Sequence, residues 1–227
     1  MNHKTMKILI KNSQFGMKSV ILSLIVLVVC CLLPESGKAQ SDSTKKFQLG
    51  FTASPTFGWL SESEPAAFKS KGLRTGFTYG VLGDFSFSNN YYFSTGLAVT
   101  TLNANTEFPA SSSYPEVVYK LQYLQVPLTL KLKSNDIDNK KFYGQFGLDA
   151  NVKIGAKKSA GGQSSDISKE VNLFRLGLII GGGAEWKVAQ NVSLLTGLSY
   201  NNGFTDVFDG DVKSKNSYVS LNLGVFF

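Results

Sequence analysis

Seven side chains stand where chemistry could be done: Asp84, Lys131, Tyr143, Asp149, Lys153, Arg175 and Glu185. Asp149 and Glu185 are the pair to test for acid–base hydrolysis, which needs two carboxylates flanking one bond. They lie 36 residues apart, and each has a lysine nearby, so the expectation is a structural role and no catalysis. The only histidine, His3, and the only cysteines, Cys30 and Cys31, crowd the first 31 residues. Without them there is no Ser-His-Asp triad, no thiolate nucleophile and no imidazole metal site. Gly181-Gly-Gly183 has neither a following Lys-Ser/Thr nor a helix, so it is no phosphate loop. Asp206, Asp209 and Asp211 put three acids within six residues but lack calcium-loop spacing and read as a solvated acidic loop. No metal and no cofactor are expected.

The elements that must carry these residues begin after residue 39. Lys4, Lys7, Lys11 and Lys18 form a basic start, and Val20 to Leu33 is an apolar run of 14 residues broken only by Ser23. Gly37 and Ala39 then stand at the −3 and −1 positions of a cleavage site. The run falls short of the roughly 18–20 residues of a spanning helix, so residues 1–39 read as a cleaved signal peptide and 40–227 as one domain. Met17 is an alternative start to Met1, since Met17-Lys18 opens a signal of ordinary length. A lipoprotein signal is disfavoured because Val29, not a small residue, precedes Cys30. The whole chain has 23 basic and 16 acidic residues; removing 1–39 leaves 18 and 15, a net charge of +3. That balance gives no ground for nucleic-acid binding.

From there the sequence alternates with period two, the signature of strands with one apolar face. Strands are expected at about 46–60, 72–88, 91–102, 118–133, 141–157, 171–188, 192–200 and 217–227. Outward sets include Phe47, Leu49, Phe51 and Phe57; Leu124 to Leu132 at even positions; and Phe142, Phe146, Leu148 and Val152. Tyr119, Leu121 and Tyr123 fall out of phase with the lower half of their strand, which predicts a bulge near Tyr123–Leu124. In the last strand Val219, Leu221, Leu223, Val225 and Phe227 share one face, with Phe226 the exception. An apolar face running to the final aromatic suits a strand against lipid.

Eight strands with alternating long and short connections predict an all-β, antiparallel, up-and-down transmembrane β-barrel. The long connections (61–71, 103–117, 158–170 and 203–216) fall at one end and the short turns (88–90, 134–140 and 189–191) at the other, which is read as periplasmic. Phe47, Phe85, Phe87, Tyr91, Phe142, Trp186 and Phe227 are expected at the short-turn rim, and Trp59, Phe174, Tyr200 and Tyr218 near the outer one. A soluble lipocalin-like barrel would place polar residues outside. Here the polar, glycine-rich face carrying Asp84, Asp149, Arg175 and Glu185 must be the inner one. Lys131, Tyr143 and Glu185 are expected at similar depth, Lys153 opposite Arg175 higher up, and Asp149 just below. Eight strands enclose a lumen just wide enough for side chains, so this network is expected to plug or gate it. Glycines 147, 177, 181 and 183 are read as making room for it.

Tyr123-Leu-Gln-Val-Pro-Leu-Thr-Leu-Lys-Leu132, Phe142-Tyr-Gly-Gln-Phe-Gly147, Gly177-Leu-Ile-Ile-Gly-Gly-Gly-Ala-Glu-Trp186 and Leu223-Gly-Val-Phe-Phe227 occur in the order and spacing of one family. They resemble the PorT-type outer-membrane β-barrel proteins of Gram-negative bacteria. The resemblance covers the chain after the signal and implies the barrel fold, the outer membrane and, for its namesake, a part in secretion. The expected function is a non-enzymatic scaffold, adhesion or secretion-linked component acting through its loops, where Phe108, Tyr114, Phe204 and Phe208 could seat a partner. The alternative is small-solute transport through the lumen or the wall. Expected partners are outer-membrane lipid, the barrel-assembly machinery through the last strand, and a larger outer-membrane complex; no nucleic acid is expected.

Overall fold

The computed structural model describes residues 46–62, 69–108, 116–209 and 213–227. The expected signal peptide, the choice between Met1 and Met17, and Tyr114 lie outside these residues. The strands in chain order are β1 (Phe47–Glu62), β2 (Lys69–Ser70), β3 (Arg74–Ser88), β4 (Tyr91–Glu107), β5 (Glu116–Lys133), β6 (Lys140–Ala160), β7 (Gln163–Asp166), β8 (Phe174–Lys187), β9 (Ser193–Gly203) and β10 (Ser214–Phe226). Eight of them pair antiparallel in the order β1-β3-β4-β5-β6-β8-β9-β10, and β10 returns to β1. The result is the expected closed eight-stranded barrel. The short β2 and β7 extend its edge by pairing with β4 and β6.

Turn chemistry sets the hairpins. Asp138 and Asn139 take φ of 51° and 60° between the bridged residues Ile137 and Lys140. Two consecutive positive φ values are what a tight hairpin turn demands, and Asp and Asn tolerate them. Gly161 and Gly162 do the same between β6 and β7. That second hairpin occupies what the sequence reads as loop. β4 likewise runs on to Glu107 and β10 starts at Ser214, so much of the expected long loops is strand projecting past the wall.

The barrel's shear follows from its register. The inward row Arg175–Asn151–Gln125–Ala98–Gly80–Thr52–Gly224–Leu195–Glu185 leaves β8 at Arg175 and comes back to it ten residues later. A row that descends ten residues per circuit requires strongly tilted strands, about 35–45° from the axis. We call the end with the short turns the near rim and the other the far rim.

Polarity is inverted relative to a water-soluble protein. Phe51 is 58% exposed on the outer face, whereas Asp84 and Asp149 are fully buried in the lumen. The lipid-facing row of β10 is as expected: Leu221, Leu223 and Phe227 are exposed, Val219 and Val225 half-buried. Phe226 and Tyr218 turn inward instead, so Tyr218 lies near the far rim as expected but does not face lipid.

β5 itself holds one phase throughout, contrary to the expected bulge at Tyr123–Leu124. Tyr119, Leu121 and Tyr123 share the inward parity of Gln125 and Lys131. The register slip lies across the ladder on β6, where Gln122 pairs Gly155 but Tyr123 pairs Lys153, leaving Ile154 over. The apolar residues of upper β5 therefore fill the lumen.

The closing seam is interrupted once. Pairing stops at Thr52↔Gly224 and resumes at Thr56↔Ser220, because Pro55 has no N–H to offer. Thr52 Oγ1 donates to the Leu223 carbonyl (2.9 Å) and the Leu223 N–H turns to Ser54 Oγ (3.4 Å).

Candidate functional site

The lumen is stacked in three layers. At the far rim, Leu60, Leu102, Leu121, Tyr123, Ala156 and Tyr218 from the strands pack with Ile167, Val171 and Val207 from the connecting segments. These segments are stitched over the mouth. Asn172 donates from Nδ2 to the carbonyls of Asp206 (3.0 Å) and Phe208 (3.1 Å), and Val171 bridges Phe208. Lys153 belongs to this cap and not to the lumen network: its ammonium donates to the carbonyls of Ser168 and Val171. Arg175 sits opposite Asn151 in the register, two residues along β6 from Lys153.

In the middle layer Arg175 Nη1 meets Asp149 Oδ2 at 3.1 Å, and Arg175 Nη2 donates to Asn201 Oδ1 (2.6 Å) and the Asn216 carbonyl (2.9 Å). Asn151 and Gln125 donate to the same Asp149 oxygen at 2.6 and 3.2 Å. The guanidinium lies 5.4 Å from the Tyr218 ring, whose hydroxyl contacts Gln125 at 3.0 Å. Buried charge is tolerable only when paired and hydrogen-bonded like this. Gly177 is the residue that makes it fit, since a Cβ there would lie 2.5 Å from Asp149 Oδ1.

The near layer joins four charges. Lys131 contacts both Asp84 oxygens (3.1 and 2.8 Å), and Lys133 bridges Asp84 (2.9 Å) and Glu185 (2.7 Å). Ser94 donates to Asp84 at 2.6 Å, and Lys133 also donates to Gln48 at 2.9 Å. Two cations and two anions cancel. Aromatic faces finish the shell: Tyr92 lies 4.2 Å from the Lys133 ammonium, and Tyr143 and Phe226 each lie 5.2 Å from that of Lys131. Gly50 accommodates Phe226, whose ring a Cβ at that position would meet at 2.7 Å.

Of the seven residues singled out, six line the lumen: Asp84, Lys131, Tyr143 and Glu185 in the near layer, Asp149 and Arg175 in the middle. Lys133 and Phe226 escaped notice, although both have inward parity, Lys133 two residues after Lys131 and Phe226 as the apparent exception of its strand. Gly147, Gly181 and Gly183 do not make room for charged side chains. A Cβ at Gly147 would lie 2.2 Å from the Leu128 carbonyl and one at Gly183 2.0 Å from that of Thr196, so these glycines let neighbouring backbones close on a tight curve. Of the loop aromatics, Phe208 packs edge-on against Tyr119 (5.1 Å) and Phe108 lies against the cap; Phe204 is exposed.

Two cavities among the described residues border these layers. One of about 90 Å³ lies between the middle and near layers, with Thr52, Ser54, Gln125, Lys131, Tyr143 and Asn222 among its walls. The other, about 180 Å³, opens beside Gln48, Tyr92, Glu185, Lys187 and Phe226 at the near rim. The near layer stands between them. Asp149 and Glu185 belong to different layers, so they do not share a bond to hydrolyse.

The family described as Outer membrane protein beta-barrel domain matches residues 38–209. Among solved structures, the chain is similar to Neisserial surface protein A, at 19% identity and a TM-score of 0.50, covering 82% of this chain and 98% of that one. It is also similar to Ail, the attachment invasion locus protein of Yersinia pestis (17%, TM-score 0.39, 80% and 97%), and to OprG from Pseudomonas aeruginosa (10%, TM-score 0.47, 79% and 94%). At 19% identity the first of these bears on the fold alone. No curated protein matches the chain.

Proposed function

The chain belongs to the outer membrane protein beta-barrel domain family, and from that premise we propose a non-conducting, non-enzymatic surface component. It sits in the outer membrane with the far rim on the cell exterior and serves as a scaffold, adhesion or secretion-linked protein. The observation that carries this reading is the lumen filled in three layers. A channel needs a continuous wet path, whereas here an apolar cap, the Arg175–Asp149 layer and the four-charge layer lie in series. Catalysis is set aside because each lumen carboxylate is held by a cation: Asp84 by Lys131 and Lys133, Glu185 by Lys133, and Asp149 by Arg175. The order of the strand motifs favours a PorT-type member, and with it the secretion-linked form of the reading.

Planar-bilayer recording of the purified protein tests it. The expected trace is flat; stable steps of porin size would overturn the proposal. A tag in the exposed Gly161–Gly162 turn allows pull-down from gently solubilised membranes. A stoichiometric larger barrel among the captured proteins is the expected result for a secretion-linked subunit.

Transport is the second reading, favoured by one specific feature. The cavity of about 90 Å³ reaches Thr52 and Ser54, beside the seam that Pro55 interrupts. A solute leaving sideways would use that break. Locking the seam with a disulfide between Phe57→Cys and Val219→Cys, which are register partners, would abolish uptake on this reading and leave the first unaffected.

A further inference from the structure

At the far edge of the lipid-facing belt, two lysines stand side by side on neighbouring strands. Lys120 and Lys157 are register partners across β5 and β6 and both are exposed. Their neighbours Leu121 and Ala156, partners of each other, are buried in the lumen, so the lysines point to the outside of the wall. The extra residue Ile154 brings this about, because without it Lys157 would keep inward parity. On the same face below them come Leu124 on β5 and Val152 and Ile154 on β6. Lys120 is four residues beyond Leu124, roughly 13 Å along a tilted strand.

Like charges directly opposite on a ladder repel, and three other cations at this rim are paired with acids. Lys71 pairs with Glu107 (2.8 Å) and Glu116 (3.4 Å), Arg74 with Glu116 (3.8 Å) and Lys158 with Glu170 (3.7 Å). Among the described residues, neither Lys120 nor Lys157 forms an ion pair. Asn103, opposite Lys120 on β4, is uncharged. Asp166, opposite Lys157 on β7, is within electrostatic reach of that lysine without forming an ion pair, and also accepts the Ser168 N–H at 2.8 Å.

We propose that Lys120 and Lys157 together bind the phosphate of an outer-leaflet glycolipid of the lipid A type. Two adjacent ammonium groups supply six donors to a phosphate monoester. Their stems lie along the apolar wall while the charged ends reach the headgroup plane. The proposal rests on the far rim facing the cell exterior.

The test uses the intact protein in phosphatidylcholine nanodiscs, titrated with bis-phosphorylated lipid A and, separately, with its dephosphorylated form. Wild type, K120Q, K157Q and the double variant are compared, with K215Q as the control at an exposed lysine on β10. At about 1 kcal/mol per lysine near the surface, each variant weakens binding about fivefold and the double about thirtyfold. Removing the phosphate should weaken it as much as the double variant does, and K215Q should change nothing. Equal affinity for the two lipids, or phosphate-dependent binding that survives in the double variant, would overturn the proposal. Heat-shifted gel mobility checks that each variant is folded. Whole-cell labelling of Gln163→Cys with a membrane-impermeant maleimide separates the two readings. Unlabelled cells would sink the orientation and this site with it; labelled cells without phosphate-dependent binding would sink the lipid site alone.

Discussion

Lys133 shows how unequal neighbouring lumen residues are. It holds both Asp84 and Glu185, whereas Lys131 contacts only the former. Removing Lys131 leaves Asp84 with a cation; removing Lys133 strands Glu185 in the lumen without one. Breaking a buried pair from one side costs about 3–5 kcal/mol. Lys133→Ala is therefore expected to destabilise the barrel by about that much in urea unfolding from lipid vesicles, and Lys131→Ala by clearly less. Combining Lys133→Met with Glu185→Leu removes both charges and should recover most of the loss. Equal costs for the two single variants would show that the near layer does not work through pairing.

At the scale of a strand, β10 carries two unlike faces. Leu221 and Leu223 meet lipid, while Asn222, between them, lines the central cavity. A cation placed on the lipid face near mid-depth costs about 2–4 kcal/mol. Leu223→Lys should accordingly lower stability in vesicles by about that amount, and Asn222→Ala by well under half of it. The same strand closes the barrel against β1 across the break at Pro55. If the barrel-assembly machinery receives the chain through Val219, Leu221, Leu223, Val225 and Phe227, then Phe227→Ala should slow assembly in cells. The same variant should leave the stability of the purified, refolded barrel nearly unchanged.

For the whole molecule, the consequence is three seals in series, with the Arg175–Asp149 layer between two unlike ends. The cap at the far rim is apolar and built from connecting segments; the near layer is ionic and built from strands. Replacing Asp84, Lys131, Lys133 and Glu185 together by alanine should merge the cavities yet still give no conductance, because the cap remains. Deleting the cap residues 164–171 alone should give none either, because the ionic layers remain. Conductance is expected only when the cap, the Arg175–Asp149 layer and the near layer are all removed, and a current from either variant alone would show that the lumen has one gate.

Period-two alternation was enough to determine the eight wall strands, the lipid-facing residues and the inward placement of Asp84, Lys131, Tyr143, Asp149, Arg175 and Glu185. That information is local, because each side chain's face depends only on its own strand's pleat. Which charges meet was decided by the tertiary structure. The meeting of Lys133 with Asp84 and Glu185 depends on a ten-residue shear summed around all eight strands. A single slip, such as that at Ile154, moves every later position by one residue. The inward turn of Tyr123 and Tyr218 likewise needed the cap, because apolar side chains enter a polar lumen only where distant segments arrive to cover them. Local pattern chose the face; closure of the ring chose the neighbours.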